Sequence, residues 1–139
     1  MKGIYLLFLR VKRDLRIRVG SLGVIDFKGG LYVYVGSAQN NLEKRVRRHL
    51  SKEKKVRWHI DYLTSSRRVD VVAVCAYELG KEYECIIAGY LREISEEVVG
   101  GFGCSDCGCR SHLFRVSGGV EDICLKVSRR INAKHLRLV

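Results

Sequence analysis

Apolar residues fall along the chain in two kinds of pattern: short dense runs, and longer stretches in which they recur every third or fourth position. GIYLLFLRV, residues 3–11, is a dense run and reads as a buried strand. LRIRVGSLGVIDF, residues 15–27, alternates loosely around Gly20 and Gly23, which predicts an irregular strand or hairpin arm. Gly29-Gly30 is a turn signal, and the aromatic, β-branched LYVYVG of 31–36 follows as another strand. The period then changes. Asn40 with Glu43 resembles a helix-opening capping box, and NLEKRVRRHL places Leu42, Val46 and Leu50 on an inward stripe. Lys44, Arg47 and Arg48 point outward, with Arg45 and His49 one turn apart at the stripe's edge.

Residues 56–66 predict a second, short helix, and VDVVAVCAYE of 69–78 another strand. Residues 82–98 read as a helix with Ile87, Ala88 and Leu91 inward and Glu84 on the same face. A cysteine-rich loop and a short HLFRV strand precede an amphipathic helix over 120–131, with Val120, Ile123, Cys124, Val127 and Ile131 inward. This order predicts an α+β fold, a small, mainly antiparallel sheet with helices packed on it. No linker or repeat interrupts the chain, so residues 1–139 are expected to form a single domain.

Charge narrows the function classes. Lys and Arg number 26 against 15 Asp and Glu, a formal net charge of +11. Between Asn41 and Arg68 lie ten bases and three acids. Such a local excess points to a polyanion, and nucleic acid leads over anionic membrane because no long amphipathic segment with an aromatic face accompanies the charge. Lys44, Arg47, Arg48, Lys54, Lys55 and Arg57 are the candidate phosphate contacts. IYLLFL is too short to span a membrane and lacks a following signal-cleavage pattern, so the expected location is the cytoplasm.

Candidate chemistry is spread over several elements. The first strand opens with Gly3-Ile4-Tyr5, a later one ends with Tyr34-Val35-Gly36, the helix after it carries Leu42-x-x-Arg45-x-x-x-His49, and Glu84 follows on another helix. In this order the pieces resemble the GIY-YIG nuclease superfamily. The longer string YVYVGSA…RVRRHL…RWHIDYL…EC…GFGCSDCGCRSHLF is similar to its archaeal Uri-type branch, some members of which are fused to endonuclease III-like repair enzymes. The resemblance implies a metal-dependent endonuclease acting on nucleic acid, DNA first. It implies that Tyr5 assists water activation, that Tyr34 positions the phosphate, and that Glu84 holds one Mg²⁺ (or Mn²⁺). Arg45 offers a planar donor fork suited to phosphate oxygens, and His49 could relay a proton or orient Tyr5. Each residue alone also fits a packing or helix-edge role. The rival readings are a non-catalytic nucleic-acid-binding module on the same fold and a zinc or thiol protein.

Two departures from the superfamily stand out. The stretch from Tyr5 to Tyr34 is long enough to hold an extra hairpin arm. The Asn common after the metal-binding helix is missing, with Ser105 or Asp106 as its replacement.

GFGCSDCGCRSHLF raises a separate question. Cys104-x2-Cys107-x-Cys109-x2-His112 is a plausible tetrahedral Zn²⁺ set, although zinc sites usually join separated segments. A disulfide and reduced thiols remain open. By the resemblance the loop borders the active site, and any zinc in it is structural. Cys75, Cys85 and Cys124 read as buried thiols. Trp58 reads as core or as a stacking platform for an unpaired base. His59 and Tyr62 share a helix face near the site, and His59, Ser105 and Asp106 are candidates for its rim.

Overall fold

A computed structural model describes residues 1–104 and 107–139. Four helices pack on a sheet of six strands, an α+β architecture. The strands are β1 (Gly3–Val11), β4 (Gly30–Ala38), β5 (Val69–Tyr77), β6 (Glu97–Val98), β7 (Leu113–Val116) and β8 (Leu136–Arg137), in the order β6-β7-β4-β1-β5-β8. Every pairing is antiparallel. Two more strands, β2 (Leu15–Arg18) and β3 (Val24–Phe27), form a separate hairpin closed by a 3₁₀ turn over Gly20–Leu22. This is the arm that lengthens the stretch between Tyr5 and Tyr34.

The central strand explains its own composition. β1 pairs with β4 on one side and β5 on the other, and all of its residues but Arg10 are buried. Tyr5, Leu7, Leu9 and Val11 join one apolar layer with Leu42, Val46, Ile60, Leu63 and Phe102. Ile4, Leu6 and Phe8 join the opposite layer with Ile87, Ala88, Leu91, Ile123 and Val127. Helices α1 (Leu42–Leu50) and α2 (His59–Thr64) therefore cover one face, and α3 (Tyr83–Ile94) and α4 (Val120–Ile131) the other. Burial on both faces is why GIYLLFLRV does not alternate.

Local details correct the sequence reading. The cap of α1 is Asn41, not Asn40: its side chain accepts from the Lys44 backbone N–H at 3.0 Å. Glu43 pairs with the N-terminal amine at 3.0 Å rather than closing a capping box. Leu50 is exposed, because the buried stripe of α1 runs through Leu42, Val46 and His49 and leaves Leu50 beside it. The third helix stops at Ile94, and Glu97–Val98 pairs with β7 as an edge strand instead. Cys75 and Cys124 are joined as a disulfide between β5 and α4, not separate thiols. Cys85 is exposed rather than buried. Among the described residues, no helix is long and apolar enough to cross a membrane.

Candidate active site

Tyr5 and Gly36 are direct partners in the β1–β4 register. A Cβ on residue 36 would stand 2.5 Å from the Tyr5 hydroxyl oxygen, so only glycine leaves room for the ring to cross the neighbouring strand. Gly3 is needed for a different reason, since a side chain there would run into the Tyr77 carbonyl. Gly36 is thus a spatial requirement of the tyrosine's position, and Gly3 of the close approach of β1 to β5. The Tyr34 ring sits 6.5 Å from that of Tyr5, centroid to centroid.

Around these two phenols opens a cavity of about 710 Å³ lined by Tyr5, Tyr34, Arg45, Glu84 and His112, with Trp58 and His59 at its α2 side. Four predicted site residues, from β1, β4, α1 and α3, therefore meet in one place. His49 does not line it. It is fully buried behind Tyr5, with its Nε2 2.8 Å from the Tyr5 hydroxyl. Its Nδ1 has no hydrogen-bond partner among the described residues.

Electrostatics follow from burial. Desolvation pushes Tyr5 up to about 12, against a downward pull from Arg45, and holds Tyr34 well above the ordinary tyrosine value. The Glu84 charge adds to both increases. Burial, reinforced by the Lys54 ammonium, drops His49 to about 3, so its imidazole is neutral at physiological pH. Arg45 reaches over the Trp58 ring, its Cζ 4.4 Å from the centroid, and donates from Nη1 to the Ser37 carbonyl at 3.3 Å. Trp58 is neither plain core nor a free platform. Arg48 lies over the same ring at 4.5 Å.

Arg48 and Lys54 leave the list of candidate phosphate contacts. Arg48 makes a bidentate pair with Asp61, both N–O distances 2.8 Å. Asp61 is fully buried and also accepts from the backbone N–H groups of Arg57 and Trp58. Burial alone would raise its carboxyl, but the Arg48 guanidinium and the two amides hold it below the usual carboxylate range. Lys54 donates to the Arg48 carbonyl and to Thr64 Oγ1, and so caps the last turn of α1. Lys44, Arg47, Lys55 and Arg57 remain exposed, and Arg57 lines the cavity.

His59 lines the cavity as expected, its Nδ1 accepting from the Gly103 N–H at 2.9 Å. Tyr62 points elsewhere, towards Gly20 of the hairpin arm. Ser105 and Asp106, the suggested replacements for the missing Asn, lie outside the described residues.

The cysteine-rich loop comes together differently from its spacing. Cys85, Cys107, Cys109 and His112 bring one ligand atom each to within 4.8 Å of one another, a group able to hold a metal ion. Cys85 comes from the first turn of α3. Cys104 is not a member, and its thiol turns to the Phe102 carbonyl at 3.3 Å. No spacing rule within the loop could have found Cys85; its position one residue after Glu84 was the available signal. Burial raises Cys85, Cys104 and Cys109, and the neighbouring Cys107 adds to each increase.

Residues 4–133 match the family described as "Domain of unknown function DUF123". The chain belongs to that family. No curated protein and no solved structure matches it. The DUF123 match runs from the Ile4-Tyr5 pair to the end of α4, so the cavity, the α1–α2 basic region and the cysteine-rich loop all fall inside it.

Proposed function

We propose that this DUF123 protein is a divalent-metal-dependent nuclease that hydrolyses phosphodiester bonds in nucleic acid, with DNA the expected substrate. The observation that supports it most is the convergence of Tyr5, Tyr34, Arg45 and Glu84 on one cavity. These are the residues through which the sequence resembles the Uri-type GIY-YIG nucleases.

The donor set suits a magnesium or manganese ion. Glu84 is a partly exposed carboxylate on a cavity with space for water, which Glu82 also lines, and such ions take few protein oxygens and keep most of their waters. A cation held there would supply positive charge beside the phosphate being cleaved. It would also offset the Glu84 charge that now raises both phenols.

The chain's own groups do the rest. Arg45 presents a charged donor fork to the phosphate oxygens. With a phenol raised to about 12, Tyr5 keeps its proton and orients the attacking water by a hydrogen bond. His49, neutral and buried, fixes the Tyr5 hydroxyl and acts as a positioning residue. Tyr34 offers a second hydroxyl to the phosphate. Lys44, Arg47, Lys55 and Arg57 hold the flanking backbone.

The test is cleavage of labelled single-stranded, duplex and branched oligonucleotides in Mg²⁺ or Mn²⁺, with Glu84→Gln as the comparison. Metal-dependent cleavage by the parent and none by Glu84→Gln is the expected result. A parent that binds these oligonucleotides but cleaves none would leave the non-catalytic binding module as the function.

A further inference from the structure

Cys85 lies on α3, far in sequence from Cys107, Cys109 and His112, yet all four ligand atoms fall within 4.8 Å of one another. We propose that these four residues bind one zinc ion, which fastens the first turn of α3 to the loop between Phe102 and Leu113. The site is new relative to the spacing-based set: Cys85 replaces Cys104.

Three observations carry the inference. First, a tetrahedral ion with Zn–S and Zn–N bonds of ordinary length separates its ligand atoms by about 3.5–3.8 Å. The Cys107 Sγ to His112 Nε2 distance is already 3.4 Å, and the rest of the group needs only a small contraction. Second, the ligands come from two separated segments, the arrangement a structural zinc site uses to staple a fold. Third, the two His112 nitrogens face the two kinds of group a zinc-bound imidazole uses, although the carboxylate must close by about 1 Å to reach hydrogen-bond distance. Nε2 faces the thiols, while Nδ1 faces the Glu84 carboxylate at 3.9 Å. A carboxylate behind a ligating imidazole fixes the ring's orientation and strengthens it as a ligand.

Thiolate ligands select zinc over magnesium, so this centre is chemically distinct from a hydrated ion at Glu84. It shares a wall with the cavity all the same: Cys85, Cys107 and His112 line both. Zinc binding does not depend on the nuclease reading, and either can fail without the other.

The experiment uses the full chain, purified without chelator and analysed for metal. One zinc per chain is expected. Replacement by cobalt should give the strong thiolate charge-transfer absorption and visible bands of a tetrahedral site. Alkylation followed by mass spectrometry should find Cys85, Cys107 and Cys109 protected by zinc and more reactive after chelation, with the reactivity of Cys104, a half-buried thiol turned to the Phe102 carbonyl, unchanged by chelation. Cys85→Ser should lose the metal, and Cys104→Ser should keep it. The proposal is overturned if the protein takes up neither zinc nor cobalt, if chelation unmasks Cys104 in place of Cys85, or if the loop thiols are joined as a disulfide. Because the alkylation pattern is read on the parent chain, a Cys85→Ser variant that fails to fold does not remove the test.

Discussion

The Tyr5 hydroxyl and His49 Nε2 are 2.8 Å apart in a buried contact that ties β1 to α1. The imidazole is held neutral, its value lowered from 6.5 to about 3 by burial and by Lys54. Folding therefore favours the unprotonated ring, while the unfolded chain takes up a proton below pH 6.5. Stability from this residue is complete above that pH and falls as the pH drops from 6.5 towards about 3. Denaturant titrations at a series of pH values should show this loss, with a flatter profile for His49→Gln above the carboxylate range. An equal slope in the two proteins would contradict the neutral, buried assignment.

Gly36→Ala tests the packing of the same tyrosine. The added methyl would sit 2.5 Å from the Tyr5 hydroxyl oxygen, so the ring must swing away from His49 and the cavity. Overpacking of this kind costs about 1–3 kcal/mol. The expected variant is folded, less stable by that order, and far more impaired in cleavage than its stability explains. Circular dichroism and a cleavage assay below the melting transition check both parts.

The sheet was legible because its signals are local: dense apolar runs give buried strands. That Tyr5, Tyr34, Arg45 and Glu84 belong to one site came from the resemblance, since each alone also fits packing or a helix edge. What stayed hidden depended on partners distant in sequence. Nothing near Arg48 or Lys54 says that Asp61 and the end of α1 will claim them. Cys85 looked like a buried thiol on a helix edge, but the first turn of α3 turns it towards a loop whose path no periodicity predicts. His49 looked peripheral because the helical stripe marks the side facing the sheet, not how closely Tyr5, Tyr34 and Trp58 gather around it. Asn40 and Asn41 are adjacent good caps, and only backbone geometry separates them.

The basic region should divide into two groups. Lys44, Arg47, Lys55 and Arg57 are exposed, so replacing each with Ala should reduce the slope of log affinity against log salt by about one unit where it meets a phosphate. The melting temperature should stay unchanged. Arg48→Ala should act through stability, because it strands the fully buried Asp61 carboxylate; breaking a buried pair costs about 3–5 kcal/mol. Binding isotherms at several salt concentrations, alongside thermal melts, separate the groups. An Arg48→Ala variant with parental stability and a reduced salt slope would return Arg48 to the phosphate-binding set.

Removing zinc should loosen one side of the fold without dismantling it. The ligands join α3 to the loop, whereas the two apolar layers are built by other residues. Chelation should lower the melting temperature by several degrees, since a structural ion contributes folding energy directly. Zinc should restore it and Mg²⁺ should not. A melting curve indifferent to chelator would mean that the thiols contribute nothing through a metal.

Arg45 carries the last prediction. Its guanidinium is aligned by the Trp58 ring on one side and the Ser37 carbonyl on the other, so it is oriented before any phosphate arrives. Preorganised charge of this kind is worth more than a flexible cation, and loss of one such donor costs on the order of 10²–10³ in kcat. Arg45→Ala should fall in that range with little change in oligonucleotide affinity, because the exposed basic residues still hold the backbone. Arg45→Lys keeps the charge but loses the fork and its flat face against Trp58, so it should recover only a small part of the rate. Trp58→Leu leaves the guanidinium in place but removes its support, and should give an intermediate loss. Single-turnover cleavage at saturating protein measures all three. Equal rates for the parent and Arg45→Ala would remove Arg45 from the reaction and, with it, the proposed way the cavity holds its phosphate.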